Sequence, residues 1–412
     1  MKCRCCATRL DEPGLDNVFL DLGTAPPSNA FLLPAALSAP ELHFPLKLLT
    51  CPQCLLVQVD EVQAHTQLFA PDYAYFSSYS RSWLVHAERY VDEARERLAL
   101  DQRSLVVEIA SNDGYLLQYV AARGIPCVGI EPTAGTAAVA RSRGIETLVE
   151  FFGIGSARRF VAQRRRADLV VANNVLAHVP DLDDFVAGIA ELLEPQGVAT
   201  FEFPHLQRLV AQRQFDTVYH EHFSYFSLHV VRRVLARHGL RAWDVQVLPT
   251  HGGSLRVWAA RDASRHPETA SVHAVLAGEA DAGMLAMDYY RGFQREADAV
   301  KNGLLEFLLQ ARREGRTVCG YGAAAKGNTL LNYAGVRPDL LAFVAEASPH
   351  KQGRHLPGSR IPVVAEAHLR SRRPDYVLIL PWNLQDEISA QLAYIRDWGG
   401  RFVVAVPELA IS

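Results

Sequence analysis

The fold class that the sequence predicts is α/β, a small cysteine-bearing lobe followed by two domains built on parallel sheets. Three observations predict it. Two Cys-x-x-Cys pairs bracket the first part, and short β-branched runs alternate with helix-period stretches from residue 104 onward. The same alternation resumes after residue 316, beyond a long helical stretch. Strands separated by helices imply βαβ units and parallel sheets with helices on both faces. At 412 residues the chain exceeds one ordinary core. The expected division is residues 1–72, 73–265 and 266–412.

In chain order, CRCC (3–6) and CPQC (51–54) come first. Each pair sits at a tight turn that aims two thiolates at one ion. Cys3, Cys6, Cys51 and Cys54 then satisfy a tetrahedral Zn2+ with no open position, so the metal is structural. Cys5 is a bystander of Cys6 or its substitute. Between the pairs, LGTAPPSNAFL reads as a loop rich in Pro and small polar residues. In the second part, SLVVEIA, CVGIEP, ADLVVANN and VATFEFP read as strands. YLLQYVAARG, AGTAAVARSRG and FVAGIAELLEP read as the helices between them, and GGSLRVWAA as a later strand. Residues 267–313 carry apolar positions at helical spacing. TVCGYG, LLAFVAEAS, DYVLILPWN and RFVVAVPEL then form a smaller Rossmann-like set.

Composition excludes several classes. With 42 basic and 45 acidic residues the formal charge is −3, unlike that of a general nucleic-acid or anionic-membrane binder. No apolar run reaches the roughly 20 residues that cross a bilayer. The N-terminus has no hydrophobic signal core, so a cytoplasmic address and reduced cysteines are expected.

Ligands of parallel sheets bind at the carboxyl ends of the strands. The first such turn here is EIASNDG, Glu108 to Gly114. A nicotinamide loop calls for G-x-G-x-x-G, so that the backbone can approach a diphosphate. This loop offers Ala110, the side chains of Asn112 and Asp113, one Gly114 and a glutamate within the strand. That set suits an ammonium and a sulfonium, the groups of S-adenosylmethionine. Glu131, ending the next strand, is placed to accept both ribose hydroxyls. Asn173 and Asn174 end the third, beside the methionine moiety.

The segment VYHEHFSYFS (218–227) concentrates titratable and phenolic groups. With CRCC and CPQC, EIASNDG, NNVLAHVPD, HGGSLRVW, GYGAAAKGNTLLNY and SPHKQGRHLPG, it resembles the S-adenosylmethionine-dependent C-methyltransferases that act on nucleotide-linked deoxysugars. The resemblance covers nearly the whole chain, in the family's order. It implies an N-terminal zinc-binding domain, a methyltransferase domain and a C-terminal Rossmann-like domain. Two positions depart from the family pattern: Ala110 stands where Gly is usual, and Glu346 where Asp is usual.

The chemistry implied is methyl transfer to a ring carbon, C3 favoured, of a dTDP-linked 4-keto-deoxysugar. The carbon beside the ketone loses a proton and becomes an enolate. Histidine titrates in the window such a base needs. By the resemblance His222 is the base and Glu221 its partner or an alternative base. Tyr219 and His178 would meet the substrate or its enolate oxygen, with Tyr75, or Tyr73, at the sugar. Ser77, Ser254, Lys326, Lys351 and Arg354 are further substrate-binding candidates, the basic ones for the diphosphate and nucleotide. His220 is expected to be structural, because alternation turns it away from His222. H-x-H could also ligate a metal, but no third ligand is near. The expected partner is a small-molecule nucleotide sugar, bound by a monomer. The competing readings are a nicotinamide-dependent nucleotide-sugar oxidoreductase or epimerase and a non-enzymatic zinc-knuckle scaffold.

Overall fold

The computed structural model describes residues 1–60 and 76–412. Tyr73, Tyr75 and the expected boundary at 72 lie outside the described residues. Among the described residues there are three sheets, and the α/β class is borne out.

The first sheet is antiparallel. It contains β1 (Val18–Ala25), β2 (Phe44–Thr50) and β3 (Val57–Val59), in the order β1-β2-β3-β9. Its fourth strand, β9 (Ser224–Tyr225), comes from the YHEHFSY segment, where Tyr225 pairs with Val57. The first lobe is therefore completed by chain from the second part. Short antiparallel strands in a loop-rich lobe leave little periodicity to read, and the sequence did not predict this sheet.

The second sheet has the order β10-β11-β8-β7-β4-β5-β6. β4 (Val106–Ile109), β5 (Cys127–Ile130), β6 (Thr147–Leu148), β7 (Ala167–Asn173) and β8 (Leu193–Pro204) run parallel. All four residues of β4 are buried, as expected of a strand covered on both faces. GGSLRVWAA does form a strand, β11 (Ser254–Arg261), which runs antiparallel between β8 and β10 (Leu240–Leu248). Helices Leu117–Ala122, Ala134–Ser142 and Leu182–Leu192 fall where helical periods were read.

The helical stretch contains Ala270–Asp281 and Phe293–Arg313. The second helix buries Phe293, Ala297, Val300, Leu304, Leu308 and Ala311, one stripe at three- and four-residue spacing. The third sheet follows: β12 (Val318–Tyr321), β13 (Val344–Glu346), β14 (Val363–Ala365), β15 (Tyr376–Ile379), β16 (Arg401–Val404) and β17 (Ala410–Ile411). Its order is β14-β13-β12-β15-β16-β17, parallel except for β17.

The N-terminal lobe packs in two directions. Cys3, Cys51, Leu10 and Leu56 join the apolar core of the second sheet. Phe19, Leu20, Leu48 and Val57 instead join a core with Leu304, Leu331 and Val363 of the C-terminal part, and Phe19 stacks on Phe293 at 4.8 Å. The lobe is thus a wedge between the two larger units. Among the described residues no helix is long and apolar enough to cross a membrane.

Candidate functional site

The two cysteine turns are built alike. Ala7 N donates to the Cys3 carbonyl at 2.9 Å and Leu55 N to the Cys51 carbonyl at 2.8 Å. Ala7 (φ 60°) and Leu55 (φ 67°) close the turns in the left-handed region. The Sγ atoms of Cys3, Cys6, Cys51 and Cys54 all lie within 4.8 Å of one another. Tetrahedral zinc with Zn–S bonds near 2.3 Å requires sulfurs roughly 3.8 Å apart, so the four fit the ion. Cys5 lies outside the set, and its carbonyl accepts from Arg237.

At the carboxyl end of β4 the loop turns sharply, with Ala110 (φ 56°), Asn112 (φ 50°) and Gly114 (φ 77°) all left-handed. At Gly114 a Cβ would come within 3.3 Å of Ala140 and Ile145. Glu131 shapes the loop: Asn112 N donates to its Oε2 at 2.9 Å and Thr133 N to its Oε1 at 2.9 Å. Asn112 Oδ1 accepts from Ser77 N at 2.9 Å, and Asp113 Oδ2 accepts from the Ser78 hydroxyl. Asp113 Oδ1 and Asn173 Oδ1 are buried with no protein partner. Buried polar atoms are almost always paired, so these oxygens await a polar ligand at the strand ends. The residues present fit S-adenosylmethionine. Glu108 is buried beside Tyr115, and burial pushes its carboxyl well above the ordinary range.

Ala110 occupies a conformation that costs a Cβ-bearing residue about 1 kcal/mol. Ala110→Gly relieves that strain but frees the unfolded chain by a similar amount. We predict that the variant folds, changes stability by less than about 1 kcal/mol, and binds S-adenosylmethionine no more weakly. Thermal unfolding and a cofactor titration check this.

Further along the edge, three imidazoles gather. His222 Nδ1 donates to the Thr217 carbonyl at 2.9 Å, which leaves Nε2 with the lone pair in the neutral ring. His178 Nδ1 donates to the Glu221 carbonyl at 2.8 Å. The two rings lie 4.7 Å apart, and the Tyr219 ring lies 4.0 Å from His222. His251 stands at φ 54° in the turn before β11, where Asn174 Nδ2 donates to its Nε2 at 3.3 Å. Burial holds His178 and His251 at about 4 and His222 well below its ordinary range, with neighbouring positive charge, Lys326 among it, adding to the effect on His222 and His251.

The sign of the consequence is definite. Between pH 4 and the ordinary histidine value near 6.5, the unfolded chain binds protons that these folded imidazoles do not. Stability contributed by them is constant above about pH 7 and falls as pH drops through that window. We expect the denaturant midpoint to fall from pH 7 to pH 5, and to fall less in His251→Asn, a residue that tolerates a left-handed backbone.

Glu221 points elsewhere: Asn29 Nδ2 donates to its Oε1 at 2.7 Å and Oε2 at 2.9 Å. The carbonyl of Thr217, not the Glu221 carboxylate, orients His222. His220 faces the first lobe, with Nε2 3.2 Å from the Pro45 carbonyl, as alternation predicted.

The C-terminal part closes the cleft. Lys326 opens the helix Ala325–Tyr333, donates to Asn383 Oδ1 at 2.6 Å and lies 4.6 Å from the centre of the Trp382 ring. Asp216, raised to about 6 by burial against the pull of Lys326, accepts from Trp382 Nε1 at 2.8 Å. Gly252 permits this closure, since a Cβ there would strike Trp382. Lys351 donates to the Ala323 carbonyl at 2.9 Å and feels the charge of both Glu346 and Glu221. Arg354 is half-buried three residues on. Glu346 repeats the role of Glu131, accepting from Ala323 N at 2.7 Å and Ser348 N at 2.8 Å. Ser77 lies against the cofactor loop. Ser254 is fully buried, and its hydroxyl donates to the Thr250 carbonyl at 2.9 Å, which ties down the turn that carries His251.

Sequence reading singled out neither Asn29, His251 nor the buried Glu202. Although burial pushes it up, His86 and Arg256 hold Glu202 at about 2. His251 had a signal, a histidine ahead of two glycines at the start of a strand. Asn29 had none beyond its place in a Pro-rich loop.

Family profiles match three consecutive stretches: a zinc binding domain over residues 3–69, a methyltransferase domain over 83–245 and a C-methyltransferase C-terminal domain over 249–407. The chain is 36% identical over 368 residues to the C-methyltransferase NovU of Streptomyces niveus, across 89% of this chain and 87% of that protein. It is 30% identical over 94 residues, 23% of this chain and 37% of the relative, to a ubiquinone biosynthesis O-methyltransferase of Azorhizobium caulinodans. Among solved structures, the magnesium protoporphyrin IX methyltransferase of Synechocystis PCC 6803 with bound S-adenosylmethionine is similar over 49% of this chain and 100% of that one. The identity there is 14% and the TM-score 0.36. The likeness to NovU spans all three parts and decides the family: this chain belongs to the S-adenosylmethionine-dependent C-methyltransferases that carry an N-terminal zinc-binding domain.

Proposed function

We propose that the enzyme methylates a ring carbon, C3 by preference, of a dTDP-linked 4-keto-deoxysugar in branched-sugar biosynthesis, through an enolate. The observation that carries this reading is the His222 ring. It is held neutral by burial, its Nδ1 is fixed on a carbonyl so that the Nε2 lone pair is left as a base, and its ring centre lies 4.7 Å from that of a second imidazole. Nε2 takes the proton beside the ketone, and the C–H electron pair becomes the enolate, its charge on oxygen. Tyr219 and His178 stabilise that oxygen. S-adenosylmethionine, held by Asp113, Gly114, Glu131, Asn173 and their loop, supplies a sulfonium-activated methyl when bound. Burial that keeps His222 neutral also weakens it as a base. The negative diphosphate, received by Lys326, Lys351 and Arg354, restores basicity by stabilising the protonated ring. By the family resemblance Tyr75, or Tyr73, would reach the sugar, with Ser77 a further candidate.

Unpaired thiolates for zinc fit a reducing compartment, in keeping with a cytoplasmic address; the proposed enzyme is a monomer dividing near residues 72 and 265. Incubation with methyl-labelled S-adenosylmethionine and a panel of nucleotide-linked 4-ketosugars tests the reading. Label is expected on C3 of a dTDP-linked member. Label on oxygen or nitrogen, or on none of the panel, contradicts it.

A further inference from the structure

The loop LGTAPPSNAFL belongs to the zinc-binding lobe, yet it ends inside the catalytic cleft. Asn328 Nδ2, from the helix after β12, donates to the Ser28 carbonyl at 2.6 Å in a buried setting. Leu32 exchanges backbone hydrogen bonds with His355 at 2.9 and 2.8 Å. Gly358 N donates to Glu41 Oε1 at 2.7 Å. The loop is therefore fastened to the C-terminal part on both sides of Asn29. From there the Asn29 amide reaches across to Glu221 of the methyltransferase domain and donates to both carboxylate oxygens, at 2.7 and 2.9 Å. All three parts of the chain meet at this one carboxylate, next in sequence to His222.

We propose that Asn29 is a positioning residue for methyl transfer. It fixes the carboxylate of Glu221, the residue whose backbone carbonyl holds His178 and whose neighbour is His222, and thereby makes the zinc-binding lobe part of the catalytic apparatus. The inference rests on the reading of the site given above. Its physical basis is simple. A glutamate side chain has rotamer freedom that a two-point hydrogen bond removes, and an amide donor favours the ionised carboxylate. Lys351, on the C-terminal part, feels the charge of the same carboxylate, and His178 donates to the Glu221 backbone carbonyl at 2.8 Å.

A double-mutant cycle with pH profiles tests it. Asn29→Ala is expected to lower kcat about 10- to 100-fold, with zinc content, melting temperature and S-adenosylmethionine affinity unchanged. In a Glu221→Ala background, where no acceptor remains, the same change should add almost nothing, since both act through one contact. Asn29→Asp sets a like charge against Glu221 and should move the acid limb of kcat/KM to higher pH. Multiplicative effects in the cycle, or an acid limb that stays in place, overturn the assignment. A wild-type enzyme that methylates no ketosugar defeats the functional reading alone. In that case the carboxyl carbon of labelled Glu221, assigned with Glu221→Gln, must still titrate at higher pH in Asn29→Asp for the contact to stand.

Discussion

His222→Ala is expected to lower turnover by about 10²- to 10⁴-fold, the contribution of a positioned general base, while leaving S-adenosylmethionine affinity nearly unchanged. The separation follows from where the ring sits. The cofactor loop Ala110–Gly114 is braced by Glu131, Thr133 and Ser77, none of which touches His222. His222 is braced by the Thr217 carbonyl and packed against Tyr219 and His178. Removing the imidazole therefore leaves the donor site intact. In the proposed mechanism His178→Ala should cost less, because there it would polarise an oxygen and not take the proton. Isothermal titration with S-adenosylmethionine and steady-state kinetics separate the two effects. Unchanged turnover would remove His222 from the chemistry.

Loss of zinc should be the second large effect, although no ligand of the metal touches the reacting atoms. The ion holds CRCC to CPQC, and binding to such sites is worth about 10 kcal/mol or more, a scale on which the small lobe does not fold without it. Strand β3 begins three residues after Cys54 and pairs with β9, which begins two residues after His222. The Pro-rich loop that delivers Asn29 hangs on the same lobe. Stripping the metal, or Cys51→Ser, should therefore reduce turnover at least about 100-fold by loosening the site rather than by removing a reactant. Elemental analysis should find about one zinc per chain in the active enzyme. A metal-free protein with full turnover would show that the lobe is dispensable.

Much of this architecture could be read from the sequence because its signals are local. Val106–Ile109 and Val318–Tyr321 are short apolar runs ending in polar or glycine-rich turns, a pattern that parallel strands buried on both faces impose. The four clustered cysteines were legible because thiolate spacing encodes a turn, and His222 was singled out because a family motif surrounds it. What could not be read depends on contacts between distant segments. Nothing local marks Ser224–Tyr225 as the last strand of the N-terminal sheet, since Val57 supplies its partner. The Glu221 carboxylate was expected beside His222, but the wedge of the first lobe brings Asn29 to it. His251 owes its place to a left-handed turn backed by Trp382, which lies in the turn after β15 of the C-terminal part.

Proton exchange measures the central claim most directly. The enzyme is incubated in D2O with its 4-ketosugar and S-adenosylhomocysteine, so that carbon cannot be methylated, and deuterium at the ring position is followed by NMR. Wild type should wash deuterium into the carbon that otherwise receives the methyl group, and His222→Ala should not. Equal incorporation by both proteins, or none by wild type above the uncatalysed rate, would mean that no carbanion is generated by this imidazole.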